Sequence, residues 1–351
     1  MKNIYNYIKE YGNITFKEKK LNNIDYSIFS MLSYLDFTNL MENETLPLQD
    51  ALRRFIDNKD KKEYVRNNAF QKDIYDLATK LPKLNRYKDI RISNYVYKLS
   101  NNEQFGALTL NLGLGRKIIS FEGTDDNLSA WEEDLNFFSV ELTPADKDAI
   151  NYLNKAISIF DKEIIVVGHS KGGRLSVTAS MYQSRFKQDK IKKIYSFDGP
   201  GILKEYLDDR KYLTIKNKIE HIIPNYSLVG VLLNHDVKDI IVKSFYKDVR
   251  AHSIFNWEIE DTNFVEDQLS DLSQKWQKSI EKWLERYSYD ERKLITRQIF
   301  NIFRDLGYNT LSEVFSMKNI LNIILNTRKY DDDTKKVLVD FFAFNLKNII
   351  L

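Results

Sequence analysis

The chain has 351 residues, which allows one large or two ordinary domains around a substantial core. Its 53 basic and 50 acidic side chains are interspersed and leave a net charge of +3, so no concentrated basic face for a nucleic acid is present, and the absence of cysteine excludes disulfides, thiolate metal sites and a cysteine nucleophile. The first ten residues lack a signal-peptide apolar core and no run approaches the ~18 apolar residues of a membrane span, so the expectation is a soluble cytoplasmic protein without integral membrane contact.

Residues 1–85 read mostly as helices. Ile24, Ile28, Met31, Leu32 and Leu35 recur at spacings of three and four behind Asp25, and further helical stretches at 48–57 and 61–80 stop near Pro82. Ten of the 12 glycines then fall between Gly106 and Gly230, so the turn-rich layer is the middle third. From Arg91 the period changes to two. Runs at 91–99, 105–112 and 117–121, joined by Asn-Asn and Gly-x-Gly turns, predict an antiparallel edge leading into a mixed sheet. The third run ends in Phe121-Glu-Gly-Thr-Asp-Asp126, where a strand end can offer the amide and hydroxyl of Thr124 to a developing oxyanion.

Trp131 to Asp134 leads through a surface loop in which Asp134 reads as a solvated helix-turn acid, with a site carboxylate as the alternative, and Pro144 to Ala156 reads as an amphipathic helix. The stretch around which the rest is organised follows. Ile164 to Val167 is a short β-branched run, then comes Gly168-His-Ser-Lys-Gly172, then small residues fit for a helix. This is the G-x-S-x-G of a nucleophile elbow, in which flanking glycines permit a strained serine between strand and helix. Ser170 is the candidate nucleophile, and the Lys171 amide at the helix N-terminus a candidate oxyanion donor.

A further strand over 193–197 places Asp198 at its carboxyl end, where open α/β sheets assemble their sites. Strands are expected at 213–223 and 239–245, with a short apolar turn or helix at 227–233 between them. Of four histidines, His169 lies inside the elbow, His221 within a strand and His235 on a loop beside Asp236. His252 follows the late strand, so Ser170, Asp198 and His252 occur in the chain order of the α/β-hydrolase triad. From about residue 262 the chain reads as helical. Leu269, Leu272, Trp276, Ile280, Trp283 and Leu284 form one stripe, Leu294 to Leu306 a second, and shorter helices are expected near 318–326 and 334–349. The stripes are assigned to packing or to covering the site. The segment 184–193 is basic but too short for a membrane-surface helix.

With these residues in hand, the chain resembles the Mbeg-like family of bacterial α/β-hydrolases, themselves similar to the class 3 (fungal-type) lipases. The matching pieces are Tyr5-x-x-x-x-Tyr-Gly12, Leu32-Ser-Tyr-Leu-Asp36, Phe121-Glu-Gly-Thr-Asp-Asp126 with Trp131 and Asp134, Gly168-His-Ser-Lys-Gly-Gly173, Asp198-Gly-Pro-Gly201, Pro224-x-x-Ser-Leu-Val-Gly230, and His252 ahead of Trp257. The resemblance implies a lipase-like mixed sheet flanked by helices, and with the glycine-poor flanks it gives helical N- and C-terminal arms (1–85 and 262–351) around an α/β-hydrolase core at 86–261, expected to pack as one unit. It maps the oxyanion residue onto Thr124, the nucleophile onto Ser170 and the base onto His252.

Two positions depart from the lipase pattern. Glu122 stands where the lipases have Arg, and His221 where they have the triad aspartate. The acid must then come from elsewhere: Asp198 first, by likeness to the pancreatic-type lipases, and Asp236 second. The function expected is a serine hydrolase of carboxylic esters, with a small-molecule or lipid ester as substrate and no metal or organic cofactor. The competing expectation is a decayed hydrolase-like domain that serves as a protein-binding scaffold.

Overall fold

Side-chain alternation in the central strands dictates a layered molecule. In the computed structural model, which describes residues 1–41, 44–58, 70–314 and 319, Ile165 and Val167 face one apolar cluster while Ile164 and Val166 face another. A strand apolar on both faces must be covered on both, and helices supply the cover.

The N-terminal helices come first: α1 (Ile4–Tyr11), α2 (Asn23–Leu32), α3 (Leu48–Asp57) and α4 (Gln71–Lys80). Asn3 and Asn22 cap α1 and α2 through reciprocal side-chain and backbone bonds. The α3 range is the one expected from the periodicity, Pro82 follows α4 in a 3-10 turn, and the first half of the expected 61–80 helix lies outside the described residues. Ile4, Ile28, Met31, Leu52 and Leu77 of these helices join Leu108, Ile118, Ile165 and Val167 in one core cluster. A two-residue strand, β1 (Leu46–Pro47), edges the sheet; nothing in its sequence signalled it.

The antiparallel edge is as expected: β2 (Arg91–Ser100), β3 (Glu103–Gly113) and β4 (Arg116–Phe121) pair in turn. Then α5 (Leu128–Asn136) and α6 (Pro144–Ala156) lead to β5 (Glu163–His169), which pairs parallel with β4. After β5 come α7 (Lys171–Met181), α8 (Arg185–Lys190) and β6 (Ile191–Phe197), then α9 (Arg210–Ile215), β7 (Ile219–Pro224) and β8 (Ile240–Val242), all strands parallel from β4 onward. The expected strand at 213–223 is thus half helix. Asp209 accepts the Lys211 amide as an N-cap, and Tyr212 and Ile215 bury a helical face before Ile219 opens β7.

Ala145, Ala149 and Leu153 of α6, with Leu175 and Ala179 of α7, build the second cluster against Ile164 and Val166. A small hairpin, β9 (Ile259–Glu260) and β10 (Asn263–Phe264), precedes α10 (Asp271–Arg286), α11 (Tyr289–Asp305) and α12 (Leu311–Val314). The tryptophan stripe packs as expected: Trp276, Ile280 and Trp283 meet Phe138, Leu203 and Leu233, while Phe300 and Phe303 meet Leu128 of α5. The helices expected at 318–326 and 334–349 fall almost wholly outside the described residues. The architecture is an eight-stranded mixed sheet flanked by helices, with helical arms at both ends, as in α/β-hydrolases.

Candidate active site

Ser170 sits between β5 and α7 with φ +57° and ψ −129°, a backbone state that costs a non-glycine residue about 1–3 kcal/mol. The glycines around it are dictated by contact. A Cβ on Gly168 would meet the Gly172 carbonyl oxygen at 2.0 Å, and one on Gly172 would meet the Phe121 carbonyl oxygen at 2.2 Å. Strand, helix and neighbouring strand end therefore touch backbone to backbone. The Ser170 amide donates to the Phe197 carbonyl at 3.0 Å, which fastens the turn to β6. The Lys171 amide occupies the first helical position, where no intrahelical acceptor exists.

Asp198 follows β6 directly, fully buried and itself at φ +47°. Its Oδ1 accepts from the Ser227 hydroxyl at 2.5 Å and from the Gly230 amide at 3.0 Å, and its Oδ2 faces Nδ1 of His252 at 2.6 Å. A carboxylate only accepts, so Nδ1 carries the proton and a neutral His252 leaves Nε2 as its lone-pair nitrogen. The His252 loop is pinned by Trp257, fully buried, whose Nε1 donates to the Ala251 carbonyl at 2.8 Å. Of the two carboxylates considered, Asp198 meets the histidine. Asp236 instead pairs with Lys216 at 2.6 Å on the surface.

His221 is bonded through Nδ1 to Asp239 at 2.7 Å, donates through Nε2 to the Gly199 carbonyl at 3.1 Å, and stacks on His235 at 3.5 Å between ring centres. Its contacts do not include His252.

His169 has a role that the sequence did not disclose. Its Nε2 lies 2.8 Å from the carbonyl of His252, so that nitrogen donates; burial, and then the nearby His252, push its pKa well below the usual range, which keeps the ring neutral. Nδ1 must then accept, and its partner at 2.9 Å is the hydroxyl of Tyr34, on the turn after α2 and fully buried. The rings of His169 and His252 lie 4.5 Å apart. Tyr34 belongs to the Leu32 to Asp36 segment and Ser227 and Gly230 to the Pro224 to Gly230 segment, and these contacts give both segments a structural task beside Ser170.

Thr124 donates its hydroxyl to Asp134 at 2.5 Å. Asp134 is not the solvated acid expected: its Oδ1 is buried without a hydrogen-bond partner among the described residues, and desolvation raises its pKa to about 7. α5 carries it inward because the 131–134 segment is a helix packed on α11, not a surface loop. Since the Thr124 hydroxyl is committed to Asp134, the donor left at this residue is its amide. Neither the Thr124 nor the Lys171 amide has an acceptor among the described residues.

The Lys171 side chain turns away into the protein, where Nζ donates to the Gln104 carbonyl at 2.8 Å and its side-chain oxygen, and reaches Glu133 at 3.5 Å. Glu122 is wholly buried over Gly106, where a Cβ would meet its Oε2 at 1.8 Å. Among the described residues no group of His, Asp and Glu forms a metal cluster.

A mixed sheet with a strained serine between strand and helix defines an α/β-hydrolase-like protein. More particularly, the chain belongs to the Mbeg1-like family, whose model matches residues 81–301. A solved structure titled as the crystal structure of M37 lipase is similar at a TM-score of 0.35, with 14% identity over 73% of this chain and 78% of that one. No curated protein matches the chain.

Proposed function

We propose that the protein is a serine hydrolase that cleaves carboxylic esters, of lipids or other acyl groups, through Ser170, His252 and Asp198. One observation carries this reading: the 2.6 Å contact of a buried, doubly supported Asp198 with His252, beside a serine held in a strained turn. In the reaction, Ser170 Oγ attacks the ester carbonyl carbon while His252 Nε2 takes the hydroxyl proton. The tetrahedral intermediate collapses, the carbon–oxygen bond to the alcohol breaks, and His252 returns the proton to the departing alkoxide. Water then attacks the acyl-enzyme with His252 again as base, which releases the acid and restores Ser170.

Asp198 holds the imidazole in the required tautomer and balances its transient charge. The Lys171 and Thr124 amides are the oxyanion donors, each worth about 3 to 4 kcal/mol in sites of this kind. The aromatic content, 21 Phe and 21 Tyr, suits an acyl group, although most of these rings serve the core.

The test is labelling by a fluorophosphonate together with hydrolysis of short and medium p-nitrophenyl esters. Wild-type protein should be labelled and active, and Ser170→Ala neither. If wild-type protein does neither, the reading fails. One observation favours the scaffold alternative. Among the described residues Ser170 and His252 share no hydrogen bond. Such bonds often tighten only with substrate bound, and the labelling experiment discriminates between the two readings.

A further inference from the structure

At the end of the sheet remote from Ser170, three large apolar side chains stand in solvent. Leu114 is the tip of the β3–β4 turn, 83% exposed, with φ +56° between Gly113 and Gly115, both also at positive φ. A bulky aliphatic residue is an outlier in that conformation, where Gly, Asn or Asp would be at ease. Burial does not offset the cost here. Ile159 and Phe160, 72% and 82% exposed, are the tip of the turn that enters β5.

The two turns are fastened together and stiffened from below. The Lys162 amide donates to the Gly115 carbonyl at 2.8 Å. Lys117 Nζ donates to Asp161 and to the Ala156 carbonyl, both at 2.9 Å, and the Ser158 amide donates to Asp161 at 2.7 Å. Lys190 Nζ binds the carbonyls of Ile159, at 2.9 Å, and Asp161, and sits 4.8 Å from the ring centre of the half-exposed Phe186. The apolar tips are therefore presented on a rigid base.

Charge surrounds them unevenly. The segments 113–117, 155–163 and 185–192 carry eight Lys and Arg against Asp161, Glu163 and Asp189. Asp161 and Asp189 are already paired, with Lys117 and Arg185. Lys155, Lys162 and Lys192 form no ion pair among the described residues.

We propose that this end of the molecule docks on an anionic lipid bilayer, with Leu114, Ile159 and Phe160 inserted among the headgroups and the surrounding lysines on the lipid phosphates. Protruding apolar tips within a basic field suit a yielding, negatively charged headgroup layer. A folded partner would need matching concavities for two separate tips. Residue 184–193, too short alone to bind a membrane, contributes Phe186 and its lysines to a surface assembled from three segments. The proposal does not depend on the catalytic reading. It does orient the molecule: β5 spans roughly 20 Å from these turns to the elbow, at about 3.3 Å per residue, so Ser170 faces away from the bilayer.

The experiment is sedimentation of the full chain with vesicles of phosphatidylcholine containing about one third phosphatidylserine, beside vesicles of phosphatidylcholine alone. Binding to the anionic vesicles should be at least about tenfold tighter and should weaken in ~0.5 M salt. The combined variant Leu114→Ser, Ile159→Ser, Phe160→Ser should keep the wild-type thermal transition, since all three side chains are exposed, and lose at least about tenfold in binding. Lys155→Gln with Lys162→Gln should weaken binding severalfold and flatten its salt dependence. Absence of vesicle binding by the wild type overturns the proposal. So does equal binding by the serine variant, which would make the attachment purely electrostatic. So does light scattering that shows a wild-type dimer dissociated by the serine variant with vesicle binding unchanged.

Discussion

Three donors converge on Asp198: the Ser227 hydroxyl, the Gly230 amide and His252 Nδ1. Replacing the acid by Asn keeps the shape but offers an amide group where an acceptor is required, so the ring takes the wrong tautomer. Asp198→Asn should therefore lower the rate of esterolysis by about 10⁴-fold, the loss known for the corresponding change in serine proteases. Asp236→Asn, at a surface ion pair, should leave that rate unchanged, and steady-state kinetics on one p-nitrophenyl ester measure both. Tyr34→Phe removes the donor to His169 Nδ1 and leaves a buried acceptor unpaired, a loss of about 1 to 3 kcal/mol in stability readable by denaturant titration. At this scale the candidates Ser170, Asp198 and His252 could be picked out because each stands beside a local signal, a glycine pair, a strand end or a following tryptophan, while the choice of Asp198 over Asp236 as the partner of His252 was not in the local sequence. Tyr34 was not, because the residue it serves lies 135 positions along the chain and no local pattern records such a contact.

The elements are locked by contacts that leave little room for adjustment. Gly172→Ala would drive a Cβ into the Phe121 carbonyl, backbone against backbone, and should cost about 1–3 kcal/mol of stability and slow labelling of Ser170, readable by thermal melts and probe kinetics. Farther off, Arg86 and Asp25 form a fully buried pair at 2.5 Å, joined by the Tyr87 hydroxyl and three backbone carbonyls. Arg86→Met would leave the buried Asp25, in the first turn of α2, without its cation, and should cost about 3–5 kcal/mol by denaturant titration. Because Tyr34 stands on the turn after α2, the same variant should also loosen the elbow. Helix α2 was readable from spacing, although Leu35 of the expected stripe stands beyond its end at Leu32. Residues 213–218 were not: β-branched composition pointed to a strand, while the capping Asp209 and the inward face of Tyr212 and Ile215 drew the segment into a helix. The inward turn of Asp134 was likewise invisible, since its contact with Thr124 depends on how α5 packs on β3 and α11.

For the molecule as a whole, buried titrating groups set opposing pH trends. Burial holds the pKa of both His169 and His235 well below the usual value. The unfolded chain binds those protons more readily, so their contribution to stability is complete above about pH 6.5 and is lost as pH falls from there toward the depressed folded values. Asp134 acts in the other direction. Its folded pKa is raised to about 7, so its contribution is complete below the ordinary carboxyl range and is lost as pH rises through 7. Urea midpoints measured from pH 5 to 8 carry both trends, and Asp134→Asn should remove the decline that runs from the ordinary carboxyl range up to about pH 7, so that the variant's midpoints rise more steeply on leaving acid.

The eight strands lie in the sheet in the order in which they occur in the chain. During synthesis each new strand can join the edge left by its predecessor, and none has to be inserted between two already paired. The strained serine is thus made early, after β5, whereas Asp198, then the Ser227 and Gly230 donors, and last His252 emerge from the ribosome afterwards. On the proposed reading, a nascent chain would carry its serine without acid or base until the His252 loop arrives, which would keep that hydroxyl quiet while the polypeptide is still being built.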